Sequence, residues 1–402
     1  MKKLIFSILF IYIWTSYSVM ASPIRHINYH YENGSPLFYE ILEDSSVLIS
    51  LIYDHERNSP NRANGHWNFQ VFADKGSRIK LILQNFNNVW NGRLSYPIKD
   101  NTPSFLSVDG NHWEAIQTEI IPEHRLAIEF IMPDDSVYVA RLEPYRVSDL
   151  ERLKSEIKDH PFIKITEIGQ TVENRPLEII CIGHTNAPHR IFIRGRAHAW
   201  EPGGNWVIEG IINTLLKNDA ESSKFLNRNC IYILPMANKD RVTHGGTRFN
   251  LRGKDLNRNW DKPADPYLAP ENAALEKWLD QQIKMGLKPD LAIDFHNDDG
   301  GNLHISRPDI NLETYLSNME RFDQLLRKHT WYTEGSTGGN FRNPGSIGEG
   351  LLERYGIDAV VYELNANWIA GLKKVPFGKD WMLLGEQLCT VFYEYFKEGS
   401  SE

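Results

Sequence analysis

Hydrophobic residues in the first third of the chain occur in short, strand-like runs. Asn, Gly, Asp and Pro interrupt them, and examples of the runs are residues 45–53, 66–74, 78–86 and 124–132. Many short strands with turn residues between them are typical of an all-β antiparallel sandwich. The pattern predicts such a sandwich as an N-terminal domain at residues 22–146.

The pattern changes after a linking helix predicted at residues 144–157. Apolar strands then alternate with helices over residues 147–402, which we predict as a second domain. Strands are predicted at residues 177–183, 190–195, 230–236, 290–296 and 358–364, and helices at 205–216, 270–285, 312–329 and 381–396. Strands that are apolar throughout are buried on both faces. The second domain is therefore predicted to be α/β, with a mixed, mostly parallel sheet flanked by helices.

The first 21 residues resemble an export signal. Lys2 and Lys3 precede an apolar run, and small residues follow around Ala21. This order predicts a signal peptide at residues 1–21 and a secreted or periplasmic protein, with an uncleaved membrane anchor as the alternative. No other stretch is apolar over a membrane-spanning length, so we expect no membrane contact after cleavage.

The composition limits the class of protein and its partners. The chain has 402 residues, of which 41% are hydrophobic and 24% charged. These values are typical of a soluble protein with a sizeable core and about two domains. The net charge of −8, without a Lys/Arg stripe, argues against nucleic acid as a partner. The three cysteines are far apart in apolar contexts, so we expect buried free thiols.

Polar residues suited to chemistry follow three of the predicted strands. His198 and Glu201 come after one strand, His296 ends another, and Glu363 ends a third. Ligands of open α/β sheets bind beyond the carboxyl ends of the strands. Two imidazoles and one carboxylate form a three-ligand zinc set with a fourth position for water. An H-x-x-E pair alone is a weak indication, however, and a His at a strand end is often structural.

A second segment strengthens the catalytic interpretation. "RFNLRGKDLNRNW", residues 248–260, is rich in Arg and Asn and shows no helical period. It is either a solvated basic loop or an anion site, because Arg guanidinium groups bind carboxylates through two hydrogen bonds.

The chain contains four motifs in sequence: "HAWE", the Arg- and Asn-rich segment, a strand ending in His and a strand ending in Glu. In the order and spacing of these motifs the chain resembles the zinc metallocarboxypeptidases of the carboxypeptidase A type. "HWNFQV" and "VYVARLEPYRVSDLERL" resemble the β-sandwich that precedes the catalytic domain in the cytosolic-carboxypeptidase (deglutamylase-like) branch. The resemblance implies one Zn²⁺ per chain, bound by His198, Glu201 and His296. It also implies that Asp255 orients His198.

The same resemblance implies roles for four further residues. Glu363 would be the general base, and Arg248 would polarise the scissile carbonyl and bind substrate. Asn257 and Arg258 would hold the terminal carboxylate of the substrate. A zinc-activated water and charge stabilisation by Arg248 are consistent with this chemistry.

The chain departs from the family pattern between residues 333 and 356. The usual Tyr is expected near Asn340 or Phe341, and neither Tyr332 nor Tyr355 can be assigned in its place. No basic residue that would select an acidic side chain is apparent near Glu349, which we expect to be exposed.

After the third ligand, "HNDDGGNLHISRP" offers Asp298 and Asp299. They are either extra metal or substrate contacts, or part of a glycine-rich surface turn.

The sequence therefore predicts a secreted zinc-dependent metallocarboxypeptidase. Its substrate would be a peptide with a free C-terminal carboxylate. An amidase acting on cell-wall peptides or N-acyl amino acids is one alternative. A non-catalytic binding protein is another, although such proteins typically lose the base or a metal ligand. The side-chain preference and the oligomeric state are not predicted.

Overall fold

The structure is a computed structural model that describes residues 22–306, 312–338 and 342–397. The predicted signal peptide lies outside these residues. The strands of the N-terminal part are β1 (Ile24–Asn28), β2 (Leu37–Ile41), β3 (Val47–Leu51), β4 (Asp54–His55), β5 (Arg62–Ala63), β6 (Asn68–Ala73), β7 (Arg78–Gln84), β8 (Asn88–Trp90), β9 (Arg93–Ser95), β10 (Ser104–Ser107), β11 (Glu114–Ile116), β12 (Thr118–Ile121), β13 (Arg125–Ile131) and β14 (Ser136–Ala140).

Two five-stranded sheets make up most of this part. Their strand orders are β1-β6-β14-β10-β11 and β12-β13-β7-β3-β2. All pairs are antiparallel except β3 with β7, which is parallel. Alternate residues of both sheets, such as Phe69 on β6 and Leu81 on β7, share one buried core. This arrangement confirms the predicted all-β region, because alternation along each strand leaves one face for the other sheet.

A third, smaller sheet lies apart from these two. Its order is β4-β5-β8-β9, and all its pairs are antiparallel. Its strands are only two or three residues long. We refer to these four strands as the small sheet. The sequence pattern did not predict it, because strands this short have no measurable period.

The second half contains eight further strands. They are β15 (Ile163–Gln170), β16 (Pro176–Ile182), β17 (His189–Gly195), β18 (Asn229–Leu234), β19 (Leu291–Asp298), β20 (Asn302–Ile305), β21 (Gly335–Ser336) and β22 (Asp358–Asn365). The helices of the described residues are α1 (Val147–Ile157), α2 (Gly203–Leu215), α3 (Ala220–Leu226), α4 (Lys239–Thr243), α5 (Pro270–Lys284), α6 (Glu313–His329), α7 (Ile347–Tyr355) and α8 (Gly378–Lys397).

These eight strands form one mixed sheet in the order β15-β16-β18-β17-β19-β22-β20-β21. The four central strands β18, β17, β19 and β22 are parallel, and antiparallel pairs flank them on both sides. Side chains on one face, such as Ile191 and Ile193, pack with α2, α6 and α8. Phe192, between them, faces α5 and α7. Helices on both faces explain why the central strands are apolar throughout, and the predicted fold class is confirmed.

The other sequence predictions about this region compare as follows. Helix α1 begins at Val147, and α5 and α6 begin close to their predicted starts. Helices α3, α4 and α7 were not predicted, because each is nine residues or shorter. The three cysteines are free and buried, as expected. Within the described residues, no helix combines the length and the apolar character that a membrane span requires.

Candidate active site

Three buried side chains converge near the carboxyl ends of β17 and β19. His198 Nδ1 lies 2.8 Å from Glu201 Oε1 and 3.1 Å from His296 Nδ1. His296 Nδ1 lies 2.8 Å from Glu201 Oε2. One candidate ligand atom from each residue lies within 4.8 Å of the others. This is the set of residues in which the sequence predicted a zinc site.

The other nitrogen of each imidazole faces a carboxylate. His198 Nε2 lies 3.0 Å from Asp255 Oδ1, and His296 Nε2 lies 2.6 Å from Asp294 Oδ2. A neutral imidazole that donates from Nε2 presents a lone pair at Nδ1. The two Nδ1 lone pairs and the Glu201 carboxylate then face one point, and none of these three groups carries a proton to donate to another. A cation satisfies this donor set, and zinc, which takes His and carboxylate ligands, fits it.

The loop that carries His198 and Glu201 is followed by a close contact between the start of α2 and strand β19. Gly203 and Gly204 begin α2 and are separated from Glu201 only by Pro202. A Cβ at Gly204 would lie 2.6 Å from the Phe295 Cβ, and the Gly203 N–H donates to Asn297 Oδ1 at 2.8 Å. The two glycines thus let the start of α2 pack against β19 on both sides of His296. This explains the unusual glycine pair that follows the Glu ligand.

Glu363 lies on the strand next to the third ligand. Strands β19 and β22 pair in parallel, with His296 opposite Glu363. The carboxylate is buried in the cleft, and its Oε2 has no hydrogen-bond partner among the described residues. Burial raises the pKa of Glu363 well above its usual range, against the opposing charges of His296 and Arg248. A buried carboxyl with a raised pKa and a free oxygen can accept and return a proton.

The Arg- and Asn-rich segment folds beside this cluster. Arg248 Nε donates to Asp255 Oδ2 at 2.8 Å, so Asp255 joins Arg248 to His198. Burial alone would raise the pKa of Asp255, but the charges of Arg248 and His198 outweigh it and hold the pKa well below its usual range. Arg258 forms no ion pair with any described residue, and its guanidinium donates to the Asn257 carbonyl at 2.7 Å. The segment is therefore a partly buried, charged wall of the cleft and not a solvated loop.

A cleft of about 610 Å³ opens above these residues. From the mixed-sheet half it is lined by His198, Arg248, Asn257, Arg258, His304, Asn343, Val361 and Glu363. The other half of its described lining comes from strands β5, β8 and β9 of the small sheet, namely Arg62, Ala63, Asn88, Val89, Trp90, Arg93, Leu94 and Ser95. The cleft thus has two walls, one from each half of the chain.

Comparisons with known proteins agree with this geometry. Residues 150–302 match the family model for zinc carboxypeptidases. This part of the chain is similar to the zinc carboxypeptidases. The chain is 30% identical over 230 residues to cytosolic carboxypeptidase 6 of Caenorhabditis elegans, which covers 53% of this chain and 50% of the relative. It is 28% identical over 182 residues to cytosolic carboxypeptidase 2 of Xenopus tropicalis, covering 42% of this chain and 18% of the relative. The chain therefore spans half or less of the length of these relatives.

Solved structures show the same fold over nearly the whole chain. A metallo-carboxypeptidase from Burkholderia cenocepacia superposes with a TM-score of 0.80 at 20% identity, covering 93% of this chain and all of that one. A metallo-carboxypeptidase from Pseudomonas aeruginosa, solved with (2-guanidinoethylmercapto)succinic acid, gives a TM-score of 0.76 at 20% identity and covers 93% and 99% of the two chains. The N-terminal sheets are thus part of a shared architecture with the carboxypeptidase domain.

Two residues of the candidate site were missed in the sequence. Asp294 binds Arg194 through two hydrogen bonds of 2.7 Å and also faces His296. An Asp in an otherwise apolar strand, two residues before a His and so on the same face, was an available indication. His304 on β20 lines the cleft, and burial lowers its pKa to about 4. It carried no sequence indication, since only the pairing of β20 with β22 brings it to the site.

Asn257 is in the cleft, but its amide is engaged by the protein. Its Oδ1 accepts from the Ile347 N–H at 3.0 Å, and its Nδ2 lies 3.3 Å from His296 Nε2. Its predicted substrate role stays a prediction.

The departures from the family pattern have these positions. Asn340 and Phe341 lie outside the described residues. Neither Tyr332 nor Tyr355 lines the described part of the cleft. Tyr332 is buried against Tyr362. The expectation that Glu349 is exposed was wrong, because it is only 3% exposed and its Oε1 accepts from the Asn343 N–H.

Asp298 and Asp299 form part of a surface turn. Asp298 Oδ1 accepts from the Gly300 and Gly301 N–H groups, and Asp299 pairs with Lys99 at 3.4 Å. Of the two interpretations of "HNDDGG", the geometry favours the glycine-rich turn.

Proposed function

We propose that the protein is a zinc-dependent carboxypeptidase that removes the C-terminal residue of a peptide. One observation carries the proposal. Three candidate metal-ligand atoms converge beside the buried Glu363, whose Oε2 lacks a partner among the described residues. The same cleft presents the guanidinium of Arg258, which forms no ion pair with a described residue. These are the parts required to hold a metal, move a proton and bind a free carboxylate.

The groups divide the reaction as follows. His198, Glu201 and His296 would hold one zinc ion, which would act as a Lewis acid and lower the pKa of water to about 7. Glu363 takes a proton from the attacking water and returns it to the leaving amine as the C–N bond breaks.

Two arginines recognise charge in this scheme. Arg258 binds the substrate's terminal carboxylate, and Asn257 assists it from the cleft wall. Arg248, fixed by Asp255, stabilises the negative charge that develops on the scissile carbonyl oxygen.

We also propose that the protein acts outside the cytoplasm. The proposal rests on the export-like pattern of residues 1–21. The curated relatives bear the name cytosolic carboxypeptidase, so the compartment is open to a direct test. N-terminal sequencing of the protein from a cell fraction should find a chain that begins near Ser22. A full-length chain that begins at Met1 in the cytoplasmic fraction would contradict it.

The activity is tested on blocked dipeptides that differ in the C-terminal residue, each as the free acid and as the amide. We expect zinc-loaded protein to cleave free acids and to leave amides intact, since Arg258 requires a carboxylate. Glu363→Gln should lower kcat by about 10³-fold or more, because the base is lost while the shape of the side chain remains.

Zinc content serves as the control in this experiment. Glu363→Gln should retain the zinc of the parent, since Glu363 is not among the three converging ligands. Loss of activity without loss of zinc assigns the defect to proton transfer. A parent that binds zinc but cleaves none of the free acids would contradict the carboxypeptidase proposal. Cleavage of amides and free acids at equal rates would favour an amidase.

A further inference from the structure

Trp90, from the small sheet, lies against both arginines of the cleft. The Cζ atom of Arg248 is 4.6 Å from the centre of the Trp90 ring, and that of Arg258 is 5.3 Å away. The ring also lies nearly parallel to Phe249, at 6.4 Å and 17°. Trp90 ends β8 and lines the cleft. It thus connects the N-terminal half of the chain to the two cations of the predicted site.

The two arginines need such a contact because few other groups hold them. Arg248 is anchored at one end by Asp255. Arg258 forms no ion pair within the described residues, and burial together with the nearby Arg248 charge lowers its pKa despite the attraction of Asp255. The negative face of an indole ring attracts a guanidinium group, and Trp does so more strongly than the other aromatic residues. It stabilises two like charges side by side without neutralising either.

A second contact from the small sheet reaches the same loop. Asp54 on β4 is buried, and its Oδ2 accepts from the N–H groups of Thr247 at 2.8 Å and Arg248 at 2.7 Å. The small sheet therefore holds Arg248 through its backbone as well as through its side chain. Two independent contacts to one residue indicate that this sheet fixes the geometry of the site.

We propose that Trp90 is a positioning residue for the reaction, holding the guanidinium groups of Arg248 and Arg258 in the orientation that a peptide substrate meets. The inference rests on the proposed carboxypeptidase function for its substrate. The N-terminal half of the chain then completes the active site and is not merely attached to it.

The consequence is a specific pattern of kinetic defects. Without the ring, both guanidinium groups gain rotational freedom, and part of the binding energy is lost in fixing them. A loosened Arg258 raises KM for free-acid substrates, and a loosened Arg248 lowers kcat. We expect a drop of about 10-fold or more in kcat/KM for Trp90→Leu. Zinc content should not change, because Trp90 is not one of the three candidate ligands.

The test compares Trp90→Leu, Trp90→Met and Trp90→Phe with the parent on one good free-acid dipeptide and its amide. Leu and Met keep apolar volume without a ring, whereas Phe restores a ring face. Trp113→Leu is the matched control, since Trp113 is a partly buried Trp of the N-terminal half whose ring meets Tyr138 and not an arginine. Zinc content and the thermal midpoint are measured for each variant.

We expect the Leu and Met variants to lose activity and the preference for the free acid, with Phe within about 3-fold of the parent. Trp113→Leu should keep that preference even if its thermal midpoint falls. Equal loss in Trp90→Phe and Trp90→Leu would overturn the proposal, as would unchanged kinetics in Trp90→Met.

Failure of the proposed function is distinguished by a binding measurement. If the parent cleaves no dipeptide, (2-guanidinoethylmercapto)succinic acid is titrated calorimetrically into the zinc-loaded parent and the Trp90 variants. Binding that weakens about 10-fold in the Leu variant and recovers in the Phe variant supports positioning of the arginines even then. Equal binding by all variants, or no binding by the parent, overturns it.

Discussion

The two walls of the cleft differ in how they are built and in how far the sequence revealed them. On the mixed-sheet wall, the candidate ligands and base lie after or near the end of long, mostly buried strands such as β19 and β22. On the other wall, Trp90 and Asp54 lie in strands of two or three residues, more than 150 positions before the arginine they contact. In the proposed function, the first wall would carry out the chemistry, and the second would hold the two arginines that bind the substrate.

The largest effect is expected on the mixed-sheet wall, at Asp294. Asp294→Asn removes the negative charge between the buried Arg194 and His296. A buried charge left without its partner typically costs about 3–5 kcal/mol of stability. Loss of a carboxylate behind a metal-bound His lowers metal affinity about 10–100-fold. Urea unfolding and competition with a zinc chelator measure the two effects.

A control for this variant is available in the same strand pair. Asp298→Asn changes a carboxylate of the same strand that accepts only from the backbone of a turn among the described residues. It should leave zinc affinity within about 2-fold of the parent. If both variants bind zinc as the parent does, Asp294 does not orient His296.

The next largest effect is expected on the opposite wall, at Asp54. Asp54→Asn keeps one oxygen acceptor but leaves the Arg241 guanidinium without its carboxylate partner. We expect about 1–3 kcal/mol lower stability and a several-fold decrease in kcat/KM, since the Arg248 backbone loses part of its anchor. Zinc affinity should be unchanged. A variant with lower zinc affinity but normal kcat would show that this wall supports the metal and not the arginine.

The smallest effect on activity is expected on the other side of the Arg248 loop. Glu271 begins α5, is buried, and accepts from Asn250 Nδ2 at 3.0 Å. Burial raises the pKa of Glu271 from 4.5 to about 7. Because the folded state holds this proton more tightly, the contribution of Glu271 to stability is fully present below pH 4.5 and is lost as the pH rises through 7. Glu271→Gln removes this loss and should be more stable than the parent above pH 7, by at most about 3 kcal/mol.

Unfolding at several pH values tests this expectation. Parent and Glu271→Gln should have equal stability near pH 4 and diverge above it. A constant difference at all pH values would mean that Glu271 does not titrate in this range. Activity at pH 7 should change little, so that stability and catalysis separate here, unlike at Asp54.

The ease of predicting each wall has a physical basis. His198, Glu201, His296 and Glu363 could be located because parallel strands bring their carboxyl ends to one edge of the sheet. The fold class followed from the change between short interrupted runs and continuous apolar strands. Trp90 could not be found this way, because nothing local distinguishes it from a structural Trp.

Two positions on the mixed-sheet wall, Glu349 and His304, also could not be predicted from the local sequence. A Glu at position 349 is expected on the surface, but it lies in the first turn of α7 and is buried there. Its carboxylate accepts a hydrogen bond from the Asn343 N–H. His304 reaches the cleft only through the antiparallel pairing of β20 with β22. Such positions depend on the packing of elements against one another, which periodicity along one element does not encode.

The measurement that tests the central claim most directly is the zinc content of the purified chain. Parent, Glu363→Gln, Trp90→Leu and Glu201→Gln are stripped with a chelator, reloaded and dialysed, and their zinc is then determined. We expect about one zinc ion per chain in the first three and a large loss of retained zinc in Glu201→Gln, because Glu201 contributes one of the three converging ligand atoms. Full zinc retention by Glu201→Gln, or none by the parent, would contradict a zinc site built from His198, Glu201 and His296.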